Sequence, residues 1–184
     1  MRILAVSGSL RRGSHNTSLL RAAGELLPPT DELVLWDELR AVPPYDQDAD
    51  GEPAPPAVAS LREAVAGADA VLFATPEYNA SIPGTLKNAL DWASRPHATN
   101  PFRNKPVAVI GSSAGMFGAV WAQAELRKVL ATMGARVVEA EVAVGHAADK
   151  FDEDGVLVDR EIRAQLAETL ATLLAELQPG LVAA

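Results

Sequence analysis

The 184-residue chain contains no cysteine. A disulfide framework, a thiol nucleophile and a cysteine-ligated metal are therefore excluded. Histidine is scarce too. His15, His97 and His146 are the three present, and they are scattered without the spacing of a ligand set. No apolar run is long enough to span a bilayer, and the N-terminal one is too short for a secretory signal, so the cytoplasm is the expected location. Positive charge is in the minority: 16 Lys and Arg stand against 24 Asp and Glu, a formal net charge of −8. A general nucleic-acid binder carries the opposite sign, and neither nucleic acid nor membrane is an expected partner. What remains is ordinary. Hydrophobic residues at 48% and charged residues at 22% suit a soluble protein, and the length suits one domain over 1–184.

Two absences sharpen the most informative stretch, Ile3-Leu4-Ala5-Val6-Ser7-Gly8-Ser9-Leu10-Arg11-Arg12-Gly13-Ser14-His15-Asn16-Thr17. An apolar strand, a polar loop and a helix start follow one another, which is how α/β proteins seat an anion on backbone N–H groups and a helix dipole. The same stretch also reads as a plain strand-to-helix turn with a capping residue. Arg11 and Arg12 reverse the chain's acidic balance there and favour an anionic ligand. Gly8 and Gly13 are the loop's two glycines, so the dinucleotide fingerprint G-x-G-x-x-G is missing. Asp37 then carries little weight as a ribose-binding acid. Gly8 and Gly13 do have P-loop spacing, but Ser14-His15 stands where Lys-Ser/Thr belongs, which disfavours a nucleoside triphosphatase. A single phosphate held by hydroxyls, amides and Arg11 fits what is left. His15 either touches that phosphate or is simply exposed in the loop.

The rest of the chain alternates strand and helix. Strands are expected at Arg2–Ser7, Glu32–Trp36, Asp69–Thr75, Pro106–Gly111 and Arg136–Val144. Helices are expected from about Asn16 to Leu27, Ala57 to Ala66, Ser81 or Pro83 to Ala93, the loop after Gly111 to Gly134, and Asp159 to Leu177. Ser81 is the expected cap of the third helix and Asp159 of the last. Trp92 lies off the core stripe of Leu86, Ala89, Leu90 and Ala93, which hints at a second buried face and a subunit contact. The proline-rich stretch from Val42 to Pro56 is either plain surface or cover for part of a site. Lys150 to Glu161 nearly matches a calcium loop, but Lys150 replaces the first acid and the flanks are wrong, so a tight turn is expected there and no metal.

Five βα units in succession make a doubly wound parallel sheet, with ligands outside the carboxyl ends of the strands. Loops 8–17, 76–83 and 111–118 all meet that condition. At this point the residues carry a resemblance. Gly8-Ser9-Leu10-Arg11…Ser14-His15-Asn16, Pro76-Glu77-Tyr78-Asn79…Ser81-Ile82-Pro83-Gly84…Leu86-Lys87-Asn88-Ala89-Leu90-Asp91-Trp92 and Lys150-Phe151-Asp152-Glu153-Asp154-Gly155 resemble the NADPH-dependent FMN reductase family, which includes quinone, azo-dye and chromate reductases.

The resemblance implies a flavodoxin-like three-layer α/β sandwich: a five-stranded parallel sheet, order 2-1-3-4-5, with helices on both faces. It implies bound FMN, with NADPH or NADH as co-substrate. By it, Ser9, Arg11, Ser14 and Asn16, with Thr17 nearby, hold the phosphate; Pro76, Glu77, Tyr78 and Asn79 line the isoalloxazine ring; Ser112, Ser113 and Gly115 close the other side. No residue is expected to act as a catalytic base, and Glu77 reads equally as a solvated or structural carboxylate. The implied chemistry is two-step: hydride passes from NAD(P)H to the flavin, and a small acceptor (flavin, quinone, azo dye or metal oxyanion) then takes the electrons. The family also implies a homodimer or homotetramer. A non-enzymatic FMN electron carrier of flavodoxin type, and a phosphate-binding module without flavin, are the competing readings.

Overall fold

The computed structural model describes residues 1–51 and 53–177. Its elements run β1 (Arg2–Ser7), α1 (His15–Glu25), β2 (Glu32–Trp36), α2 (Pro56–Ala66), β3 (Ala70–Thr75), α3 (Gly84–Ala93), β4 (Pro106–Ser112), α4 (Val120–Thr132), β5 (Arg136–Val137), β6 (Ala143–Val144) and α5 (Arg160–Ala175). All strand pairs are parallel, in the order β2-β1-β3-β4-β5, with β6 also pairing with β4.

The strands are apolar on both faces because helices cover both. Alternation within each strand divides the core in two. Leu4, Val6, Val71, Phe73, Val107 and Val109 pack with α2, α3 and α4 on one side. Ile3, Ala5, Leu72, Ala108 and Ile110 pack with α1 and α5 on the other. This is the expected flavodoxin-like sandwich.

Three local expectations are corrected. The fifth strand, expected as one piece from Arg136 to Val144, is two short pieces. Between them the backbone kinks, Ala140 N–H donating to Val138 C=O at 3.0 Å, while both pieces run parallel to β4. The Arg127 guanidinium enters the gap and donates to Val109 C=O on β4 (3.2 Å) and to Ala140 C=O (2.8 Å). Acceptors that would have formed ladder bonds are satisfied by a side chain instead.

Ser81 does not cap α3. Pro83 occupies the cap position, with no side-chain hydrogen bond. The Ser81 backbone instead pairs antiparallel with Tyr78, in a two-way exchange at 3.0 and 3.1 Å. Trp92 offers no face to a partner, being 1% exposed within this chain. Its indole N–H donates to Pro43 C=O at 2.9 Å, and its ring meets Tyr45 edge-on. Asn88 completes the staple: its Oδ1 accepts from Tyr45 N–H at 2.7 Å and its amide donates to Pro43 C=O at 2.8 Å. The stretch after β2 is thus pinned along α3 by the two polar residues of Asn88-x-x-x-Trp92, one helical turn apart. Asp159 caps α5 as expected, accepting from Glu161 and Ile162 N–H, and pairs with Lys150 at 2.6 Å.

Candidate functional site

A cavity of about 680 Å³ opens at the carboxyl ends of β1, β3 and β4, in the size range of cofactor sites. Its wall contains every expected position of the three loops except Thr17 and Asn79, and adds His15, Ala114 and Ala148. A somewhat larger, more open hollow of about 790 Å³ lies at the opposite ends of the strands. Two of the three cations lining it are engaged within the chain: Lys105 donates to Ala68 C=O and Arg136 lies 3.9 Å from Glu176. It lacks the convergence of loops found at the first.

The first loop leaves β1 at Gly8, whose N–H donates to Ala74 C=O at 2.8 Å. Ser14 caps α1 through Thr17 N–H, and Thr17 Oγ1 donates to Ser7 Oγ at 2.9 Å behind the loop. Arg40 reaches over from the turn after β2 and donates to Leu10 C=O at 2.9 Å. The root of the loop is therefore braced while its tip is free. Arg11 and Arg12 are exposed, and among the described residues neither forms an ion pair. His15 stacks on Phe151, ring centroids 5.1 Å apart. Burial, and then the nearby Arg11 charge, push its imidazole below the usual histidine range.

Asn16 is committed elsewhere in the wall. Its amide donates to Ser112 C=O at 3.0 Å, and its Oδ1 accepts from Ser112 N–H at 2.9 Å. This buried pair joins residues 96 positions apart. The end of β4 is thereby tied to the first turn of α1, so two of the three loops share one frame.

The second and third loops are preset by backbone. Asn79 and Ala80 both lie in the left-handed region (φ 54° and 59°), turning the chain between the paired Tyr78 and Ser81. Two successive positive φ values are the mark of a type I′ hairpin, where Asn is favoured and alanine is not. Tyr78 stands exposed at the start of the turn. Gly118 on the third loop and Gly145 just after β6 allow contact that no other residue would: a Cβ would fall 2.3 Å from Ala143 C and 2.1 Å from Met116 O respectively. The loop is laced to the chain after β6 through Ser113 N–H to Val144 C=O, His146 N–H to Gly115 C=O and Ala147 N–H to Ser113 C=O. Gln123, wholly buried, adds bonds to Gly118 and Val142 C=O.

Glu77 is a structural carboxylate. Its Oε2 accepts from Trp121 N–H (3.0 Å) and Ala122 N–H (3.1 Å) at the start of α4. Two features suit a polar ligand. The Ser112 hydroxyl is buried at the wall with no hydrogen-bond partner among the described residues, and such a group is costly unless something pairs with it. Arg11 supplies free positive charge at the other end. A phosphate near Arg11 and a polar ring edge toward Ser112 fit this donor set.

With that geometry in place, comparison with known proteins decides the family. The model of NADPH-dependent FMN reductases matches residues 1–149. The chain belongs to that family. An NAD(P)H-dependent FMN reductase of Pseudomonas aeruginosa is 43% identical over 174 residues, covering 94% of this chain and 93% of the relative. A 2-hydroxy-1,4-benzoquinone reductase of a Burkholderia species is 38% identical, covering 90% of each. Among solved structures, the flavoenzyme NAD(P)H:(acceptor) oxidoreductase FerB of Paracoccus denitrificans superposes with a TM-score of 0.85 at 33% identity, over 95% of this chain and 98% of that one.

Sequence reasoning missed the contributions of Ala114 and Ala148, which are small and chemically silent. It also missed the bracing by Arg40, Gln123 and Arg127, whose partners are backbone carbonyls invisible in a sequence.

Proposed function

We propose that the cavity over β1, β3 and β4 holds FMN and that the chain is an NAD(P)H oxidoreductase passing electrons to a small acceptor, a quinone by its relatives' names. One observation carries this reading. A wall of preset loops has free guanidinium charge at one end and an orphaned hydroxyl at the other.

FMN, when bound, supplies the hydride chemistry that no side chain here carries. The chain's own part is placement. Arg11, Ser9 and Ser14 would hold the phosphate, with Thr17 backing the loop through Ser7. Asn16 would act as a strut rather than a ligand, since both polar ends of its amide already meet the Ser112 backbone. Pro76 to Asn79 would flank the ring, with Tyr78 offering an aromatic face to a planar acceptor. Ser112, Ser113 and Gly115 would close the far side. Peptide N–H dipoles fixed in place would stabilise negative charge on the reduced ring without reorganisation.

A homodimer or homotetramer belongs to the same reading. Trp92 gives it no support, but Met116, Phe117 and Trp121 do: they are large, exposed and near one another, Phe117 and Trp121 in edge-on contact at 5.0 Å. Exposed apolar groups of this kind mark contact surfaces. Sedimentation of the purified protein tests it.

Anaerobic titration with NADPH tests the whole. A yellow protein that bleaches on NADPH and recovers its colour with benzoquinone is expected. One that stays yellow and leaves NADPH intact would be an electron carrier. A colourless protein that FMN neither binds nor stabilises would remove the flavin altogether.

A further inference from the structure

α4 begins badly on its own terms. Its cap residue, Ala119, has no side-chain acceptor and sits in the left-handed region at φ 66°. The N–H groups of the second and third helical residues, Trp121 and Ala122, are the ones a Ser or Asp cap would normally satisfy. Both are satisfied by the Glu77 carboxylate, from 44 and 45 residues away. The traffic also runs the other way, as Glu125 on α4 accepts from Ile82 N–H at 3.4 Å, beyond the hairpin. The loop 77–82 is thus held at both ends by one helix. Between those two points lies the turn with two left-handed residues, a conformation that persists only when its surroundings enforce it.

We propose that Glu77 is a positioning residue for the flavin-ring end of the site: by capping α4 from outside, it makes the loop 77–82 and the start of α4 one rigid unit and so sets the ring-facing backbone. The inference rests on the FMN reading above and adds a role to a side chain that the redox chemistry does not use. The role belongs to the acceptor oxygen, because two N–H donors at a helix start need an acceptor more than they need a full charge. Glutamine keeps that oxygen and alanine removes it.

The test compares Glu77→Ala and Glu77→Gln with the wild-type protein. Loss of a cap is expected to weaken FMN binding about 5- to 30-fold in Glu77→Ala, as read by flavin fluorescence. Riboflavin binding should fall by the same factor, since the phosphate end is untouched. In Glu77→Ala saturated with FMN, stopped-flow reduction by NADPH should slow, and the long-wavelength flavin band should lose the resolution seen in wild type. Glu77→Gln should recover most of each loss. Thermal unfolding of the apoproteins identifies a variant that has simply failed to fold, and Glu77→Gln then carries the test: affinity and reduction rate near wild type support the role.

Three outcomes overturn it. Glu77→Ala could bind and reduce FMN as wild type does. Glu77→Gln could be as impaired as Glu77→Ala, which would make charge the agent. Or FMN affinity could fall while riboflavin affinity holds, which would move Glu77 to the phosphate end. A wild-type protein that takes up no FMN would overturn the flavin reading itself, an outcome distinct from all three.

Discussion

The two ends of the cavity are built by opposite means. At the end proposed for the phosphate, loop 8–14 is braced at Leu10 by Arg40 and behind Ser7 by Thr17, while Arg11 and Arg12 stand in solvent. At the end proposed for the ring the loops are tied to other elements: the Glu77 carboxylate to the start of α4, the Tyr78 backbone to Ser81, and the Ser113 and Gly115 backbone to the chain at and after β6. The difference follows from what each end would recognise. A phosphate is a compact charge that flexible guanidinium and hydroxyl groups can follow. A flat ring is matched only by a surface already in position, because ordering a loose loop around it would cost conformational entropy.

Asn16 spans both ends, so replacing it gives the largest expected effect. Asn16→Ala leaves the buried N–H and C=O of Ser112 without partners, and the apoprotein should lose about 2–4 kcal/mol in urea unfolding. FMN and riboflavin affinities should fall together. A selective loss of FMN affinity would instead make Asn16 a phosphate ligand and break the division between the ends.

Arg11→Ala should separate the ends most cleanly. FMN affinity is expected to drop by about 1.5–3 kcal/mol, the worth of a hydrogen bond to a charged group, with riboflavin affinity unchanged. Equal losses for both ligands, measured by fluorescence titration, would show that Arg11 shapes the ring end too.

A smaller change tests how tightly the ring end is preset. Ala80→Gly relieves a left-handed alanine at some cost in unfolded-chain entropy. A net thermal stabilisation of up to about 1 kcal/mol is expected. A clear destabilisation would mean that the Ala80 methyl group makes a contact outweighing its backbone strain.

The smallest expected effect is electrostatic. His15 titrates below its unfolded value because it is partly buried and faces Arg11. A depressed histidine is stabilising while neutral, so its contribution is present above the unfolded value and is lost as pH falls below it. The apoprotein should therefore lose some stability from pH 7.5 to 5.5, and His15→Gln should reduce that loss. An identical slope in the variant, followed by thermal unfolding, would remove His15 from the balance.

The sheet was readable from sequence because its signals are local. Apolar runs such as Ile3–Val6 and Val71–Ala74 end abruptly at polar loops, and βα alternation leaves few topologies. That loops 8–17, 76–83 and 111–118 would meet at one cavity was readable for the same reason. What side chains do inside those loops was less so. Asn16 and Glu77 look like ligands because they are polar and stand in the right segments; that they bond Ser112 and the α4 backbone depends on which distant N–H groups come within reach. Trp92 misled because its partner, Pro43 C=O, belongs to a loop whose path no periodicity encodes. The fifth strand reads as continuous because Arg127, which interrupts it, lies on a helix and signals nothing to its neighbours in space.

That interruption bears on how the protein behaves in a crowded solution. A parallel sheet that is not closed has two rims, and a long straight rim is a template on which another chain can add a strand. Here one rim is broken into two-residue pieces, turned at Ala140, and carries the carboxylates of Glu139 and Glu141 beside the turn. No stretch of open backbone there is long enough to recruit a partner strand. By taking two carbonyls out of the ladder, Arg127 turns what would be an aggregation-prone border into a blunt one.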